Sequence, residues 1–104
     1  DRAAFGIIGL ETALPLSLAL VREGHLTLEE LIVKMAKNPA RLMGVDSAIA
    51  EGSPADLTLI DPEVEYVIDP DTFLSKSRNT PFAGMKVQGA AAMTLVDGKI
   101  VFQR

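Results

Sequence analysis

The sequence predicts an α+β fold, helices in its first half and strands in its second. Three observations carry this. An apolar run and a capped amphipathic stripe fill residues 11–43, and after Gly44 the pattern changes to short strand-like segments. Finally, Asp97-Gly98 stands between two such segments as a two-residue connection suited to a type I′ hairpin turn.

The first element spans residues 11–23 and is apolar on nearly every side (Ala13, Leu14, Leu16, Leu18, Ala19, Leu20, Val21), which predicts a helix buried on more than one face. Thr12 is its expected N-cap. Pro15 then falls in the first turn, where a missing amide costs no intrahelical bond, and Gly24 terminates the helix. The second helix is announced by Thr27-x-x-Glu30, a capping box, ahead of Leu28, Leu31, Ile32, Met35 and Ala36 at the spacing of one helical stripe. Glu29 and Glu30 at its start, with Lys34 and Lys37 near its end, complement the helix dipole. A third, short helix is expected from Asn38 as N-cap, Pro39 at the first helical position and Gly44 just past the end.

Beyond Gly44, residues 56–61 have a strand-like core ended by Pro62, and residues 65–68 form a second short strand ended by Asp69-Pro70. Residues 75–80 are polar and predict a loop. Phe82-Ala83-Gly84 and Met85-Lys86-Val87 can add one further strand. The chain closes on the hairpin of Met93-Thr94-Leu95-Val96 and Lys99-Ile100-Val101-Phe102.

With 48% hydrophobic and 23% charged residues, the composition is that of one soluble globular unit rather than a disordered tail. The net charge of −4 and the scattered Lys and Arg residues exclude a nucleic-acid footprint. The longest apolar stretch, interrupted by Pro15 and Ser17, is far shorter than the ~20 residues of a membrane span. The absence of cysteine removes disulfides, thiolate zinc ligands and thiol nucleophiles, and is compatible with a reducing cytoplasm. Asp1, in place of an initiating Met, leads to the expectation of a longer parent that continues upstream.

Few residues carry chemistry. His25 is the single histidine, so it cannot build a zinc site with its neighbours, and it reads as an ordinary linker residue. Asp61 and Asp69 each precede a proline, and Asp56 follows a Ser-Pro-Ala turn, so these carboxylates read as turn formers rather than a metal cluster. Arg41 reads as an exposed or snorkelling side chain. Ser75-Lys76-Ser77 contains no arrangement that activates a serine. The one stretch whose composition suggests a site is Phe5-Gly6-Ile7-Ile8-Gly9, where two glycines let backbone amides approach a ligand.

These residues resemble a known family. Phe5-Gly6-Ile7-Ile8-Gly9-Leu10-Glu11-Thr12-Ala13-Leu14-Pro15-Leu16 is similar to the segment after the last barrel strand of class I dihydroorotases, members of the amidohydrolase superfamily. Asn38-Pro39-Ala40-Arg41 resembles the "NPA" helix of amidohydrolases, and Ile49, Gly52, Ala55-Asp56-Leu57 and Asp61 resemble the lead into their small β-sandwich domain. Ser75-Lys76-Ser77-Arg78-Asn79-Thr80-Pro81-Phe82 and Val96-Asp97-Gly98-Lys99 are similar to the dihydroorotase form of that ending. "NPA" and "ADL" are shared with dihydropyrimidinases and allantoinases; the first and last motifs together favour dihydroorotase.

The resemblance implies that residues 1–44 are the last barrel loop and C-terminal helices of a (β/α)8 barrel. Residues 45–104 would then be the C-terminal strands of a composite β-sandwich. It implies a cytoplasmic enzyme of pyrimidine synthesis that interconverts N-carbamoyl-L-aspartate and dihydroorotate, with zinc-activated hydroxide as nucleophile. Its metal ligands and catalytic aspartate would lie upstream of Asp1, leaving no catalytic and no metal-binding residue here and no activity or zinc in the chain alone. Phe5 and Gly6 match a loop lining the substrate pocket, with backbone hydrogen bonds to the pyrimidine ring amide; Ala4 departs from the proline common there. Expected partners are the small-molecule substrate, the N-terminal part of the parent, and either a second copy or aspartate transcarbamoylase. Two alternatives stay open: a non-catalytic dihydroorotase-like scaffold, and another cyclic amidohydrolase of dihydropyrimidinase or allantoinase type. Because the family packs these helices and strands on elements from upstream, the apolar face of Leu14, Leu18, Val21, Leu31 and Met35 is expected to be incompletely covered by this chain.

Overall fold

The computed structural model describes Ala3 and residues 5–104. The order of elements is α1 (Ala13–Arg22), α2 (Leu28–Ile32), a π-helical turn (Val33–Lys37), α3 (Asn38–Met43), β1 (Leu57–Val67), a 3-10 turn (Pro70–Thr72), β2 (Lys86–Val96) and β3 (Lys99–Gln103). The α+β reading therefore holds. The three strands form one antiparallel sheet in the order β1-β2-β3, and α1 packs against the central strand β2.

Local signals explain both ends of α1. Gly24 adopts φ 79°, which an L side chain disfavours, and two bonds close the helix there: Gly24 N–H to the Val21 carbonyl at 3.0 Å and His25 N–H to the Leu20 carbonyl at 2.9 Å. This is the Schellman arrangement. At the other end Thr12 occupies the cap position, but its hydroxyl donates back to the Gly9 carbonyl at 3.3 Å instead of accepting from the first turn. Its φ and ψ of −113° and −16° are already helix-like, which turns the hydroxyl away from the amides it was expected to cap.

The capping box of α2 forms as the sequence predicts. Glu30 N–H donates to Thr27 Oγ1 at 3.1 Å, and Thr27 N–H donates to Glu30 Oε2 at 2.8 Å. Thr27→Ala should lower stability by about 1 kcal/mol, read as a lower urea midpoint, whereas Thr27→Ser should restore most of it.

Asn38 is not an N-cap, contrary to the sequence expectation. Lys37 and Asn38 are both right-handed helical, and residues 28–43 run as one helical stretch. The physical reason is the π turn: Asn38 N–H reaches the Val33 carbonyl, one residue further back than an α-helix allows. Pro39 has no N–H and its ring crowds the carbonyl four residues earlier. A widened turn immediately before it absorbs both problems without breaking the helix. Gly44, at φ 68°, ends the run as expected.

The two short strands predicted on either side of Pro62 are one strand. β1 passes through Pro62 because β1 is a sheet edge and the proline sits in a bulge, where the register slips between Asp61 and Glu65. Asp61 Oδ1 organises that bulge by accepting from Glu63 N–H at 2.9 Å and Val64 N–H at 3.3 Å. Opposite it, Gly89 of β2 takes φ 96°, and a Cβ there would overlap Leu18 Cδ1 of α1. Thus the bulge, the glycine and the helix contact form one feature. β2 extends from Lys86 to Val96, so the run Gly89-Ala90-Ala91-Ala92 is strand although alanine favours helices; residues 81–84 form a turn and not a strand. At the hairpin, Asp97 (φ 48°) and Gly98 (φ 74°) are both left-handed, as a type I′ turn demands.

The core is small and lies between α1, α2 and the sheet: Leu18 and Leu31 are each 3% exposed, with Ile68, Val87 and Ala90 buried beside them in the sheet half. This divides the face expected to be incompletely covered. Leu18 and Leu31 are buried by the chain's own residues, which corrects that expectation for them; Leu14 and Val21 are half-buried and Met35 is 42% exposed. Burial pushes the Tyr66 hydroxyl above its ordinary pKa, opposed by the Arg104 guanidinium 4.4 Å above its ring. Among the described residues no helix is long and apolar enough to cross a membrane.

Candidate functional site

Phe5 and Gly6 lie in an irregular segment that leads into α1. Phe5 is 107% exposed, so none of the described residues covers its ring. Gly6 adopts φ 79°, and no atom lies within 4 Å of where a Cβ would project. Its glycine is therefore required by backbone conformation and not by crowding. Ala4 falls outside the described residues, so the effect of its departure from proline does too.

What fixes this segment is a second loop. Asn79 donates from its side-chain Nδ2 to the Gly6 carbonyl at 2.8 Å, and its backbone carbonyl accepts from Ile8 N–H at 3.1 Å. Three residues further on, Glu11 accepts from Leu74 N–H at 3.1 Å and Ser75 N–H at 3.0 Å, one bond to each carboxylate oxygen. The partner loop is held in turn by Arg78, whose guanidinium donates to the carbonyls of Ser75 and Ser77 and faces Asp71. Sequence reasoning singled out both segments as motifs but missed Glu11 and Asn79 as the residues joining them.

Apart from Ser75, whose N–H meets Glu11, the other residues considered for chemistry stand apart from this segment. His25 is exposed and faces Glu23 Oε2 at 3.4 Å. Asp69 Oδ1 caps the 3-10 turn by accepting from Asp71 N–H at 3.0 Å, and Asp56 Oδ1 accepts from Asp97 N–H at 2.7 Å, tying the hairpin tip to the start of β1. Each carboxylate thus serves a turn. Arg41 is exposed on α3. Among the described residues no three His, Cys, Asp or Glu side chains converge on a point where a metal could bind. A broad depression lined by Arg22, Glu65, Tyr66, Lys86 and Gln88 lies along the sheet and includes no residue of the 5–11 segment.

Residues 3–101 match the model of the amidohydrolase family, and the chain belongs to that family. The likeness to dihydroorotases extends over the whole chain. It is 58% identical over 104 residues to a dihydroorotase from Desulforapulum autotrophicum, covering 100% of this chain and 24% of that protein. It is 52% identical over 105 residues to a dihydroorotase from Geobacter metallireducens, covering 100% of this chain and 25% of that one. Among solved structures, the L-hydantoinase (dihydropyrimidinase) from Arthrobacter aurescens superposes with a TM-score of 0.88 at 38% identity, over 97% of this chain and 23% of that chain. The chain thus spans about a quarter of the length of the curated relatives it matches, and its mixed helix and sheet arrangement is that of the corresponding part of the hydantoinase fold.

Proposed function

We propose that this chain is the C-terminal part of a dihydroorotase, a cyclic amidohydrolase that opens dihydroorotate to N-carbamoyl-L-aspartate and closes it again in pyrimidine biosynthesis. The observation that carries this is the 58% identity to a dihydroorotase across every residue of the chain, against 38% to a hydantoinase of closely similar fold. In this reading residues 1–44 supply the last barrel loop and C-terminal helices of a (β/α)8 barrel, and residues 45–104 the β part of a composite sandwich. The parent works in the cytoplasm.

The role of this chain is to present backbone. The peptides at Phe5 and Gly6 hydrogen-bond the ring amide, and glycine at position 6 permits the left-handed turn that brings main chain to the ligand without a side chain in the way. Zinc does not fit the residues here, since there is one histidine and no cysteine, and among the described residues no three His, Asp or Glu side chains converge. Its ligands belong to the rest of the parent.

The test is direct. The full-length protein should contain bound zinc and consume dihydroorotate, with dihydrouracil and hydantoin turned over far more slowly; residues 1–104 alone should contain neither zinc nor activity. Gly6→Val in the full-length protein should reduce kcat/KM by about tenfold or more, the effect of forcing a branched residue into left-handed backbone at about 1–2 kcal/mol. A full-length protein that prefers hydantoin, or that carries no metal and turns over neither, would sink this reading.

A further inference from the structure

The segment carrying Phe5 and Gly6 has almost no packing of its own. The Phe5 ring is uncovered, the space into which a Cβ at Gly6 would project is open, and residues 5–7 are exposed. Burial cannot set its conformation, so hydrogen bonds must. Four of them reach it from residues 74–79, and two side chains, Asn79 and Glu11, take part in three of the four.

The bond from Asn79 acts on a specific peptide plane. In a trans peptide the C=O and the following N–H point in opposite directions, and the described residues contain no cis bond. Holding the Gly6 carbonyl against Asn79 therefore aims the Ile7 N–H the other way. It also fixes ψ of Gly6, the torsion a glycine leaves freest. The Asn79 backbone carbonyl holds Ile8 N–H as well, so one residue, through side chain and main chain, clamps both sides of Ile7. Glu11 then fixes the far end of the segment to Leu74 and Ser75, just before α1 makes it rigid.

We infer that Asn79 and Glu11 are positioning residues for the ring-amide site: they touch no substrate, and they hold the Phe5–Gly6 backbone in its binding orientation by tying it to the 74–79 loop. This rests on the reading of the chain as part of a dihydroorotase with Phe5 and Gly6 at the ring. It assigns a purpose to a polar loop that contributes no group to the chemistry. It also makes a graded forecast, because a carboxylate can accept from both the Leu74 and Ser75 amides whereas a carboxamide has one carbonyl oxygen to offer.

The experiment uses the full-length protein. Asn79→Ala and Glu11→Ala should each raise KM for dihydroorotate about tenfold, with kcat within about threefold of wild type and zinc content unchanged, the effect of a loosened but still present binding surface. Glu11→Gln should fall between wild type and Glu11→Ala. Hydrogen exchange should quicken at the Leu74 and Ser75 amides in Glu11→Ala, whose acceptor is removed. Asn79→Ala keeps the backbone carbonyl that binds Ile8 N–H, so the Ile8 amide should quicken there through loosening of the Gly6 side of the segment. If one alanine variant folds poorly, Glu11→Gln and the exchange measurement decide. Wild-type KM and wild-type exchange in these variants, in an active parent, overturn the positioning role and leave the functional reading intact. A wild-type parent that does not turn over dihydroorotate overturns the functional reading itself.

Discussion

Replacing Leu18 by alanine should cost about 2–5 kcal/mol of stability, the range for truncating a fully buried leucine in a core that cannot close over the gap. Leu18 is 3% exposed and is the point where α1 meets the sheet. Gly89→Ala should cost a comparable amount by the opposite route, since its new Cβ would overlap Leu18 Cδ1 and its φ of 96° is one that alanine resists. The informative variant is the pair. In Leu18→Ala with Gly89→Ala the overlap disappears and part of the gap is filled, while the backbone strain remains. The double variant should therefore be more stable than the sum of the single losses by about 1–2 kcal/mol. Urea unfolding of the wild type, both singles and the double in the full-length protein measures this. Additive losses would mean that the helix and the glycine do not share a contact.

The same contact shows where the sequence was legible and where it was not. Features settled by neighbours within a turn were readable: the Thr27–Glu30 box, the left-handed Gly24 and Gly44, and the Asp97-Gly98 hairpin all formed. Features settled by distant partners were misread. Pro62 reads as a strand end, yet an edge position and the bulge organised by Asp61 let the strand continue past it. The alanine run in β2 reads as no strand at all, because its small side chains serve the approach of α1 rather than any intrinsic β preference. Two local features were misread as well: Asn38 reads as a cap because Pro39 follows it, where the π turn behind it continues the helix, and Thr12 reads as a cap although its hydroxyl turns back to Gly9.

The candidate site divides along the same line. Phe5 and Gly6 were reachable through resemblance to a family motif, with the left-handed Gly6 giving that position a physical reason. Asn79 lies 73 residues from Gly6, and no periodicity or spacing in one sequence connects them. The usable signal was that two loop motifs carrying the same family resemblance occurred in one chain. Such motifs often hold each other, because loops that carry ligands sit at the surface and lack a core to fix them.

The chain on its own should self-associate. Leu42 and Ile49 are 85% and 87% exposed, and Met43 and Val45 between them are also largely uncovered, an apolar sequence cluster at the end of α3 that none of the described residues covers. Single exposed leucines are ordinary, but a cluster of this kind marks a surface that another element covers. In the proposed parent that element belongs to the remaining three-quarters of the protein. Light scattering on residues 1–104 at tens of micromolar should show oligomers that grow with concentration, together with enhanced fluorescence of an apolar dye. Leu42→Glu with Ile49→Lys should move that population towards monomer. In the full-length protein the same two substitutions should have the opposite value, lowering stability by about 3 kcal/mol or more because each buries an unpaired charge. A monodisperse chain that binds no dye, together with a full-length protein indifferent to both charges, would mean that this surface faces water in the parent as well. The helices would then not dock where the fold places them.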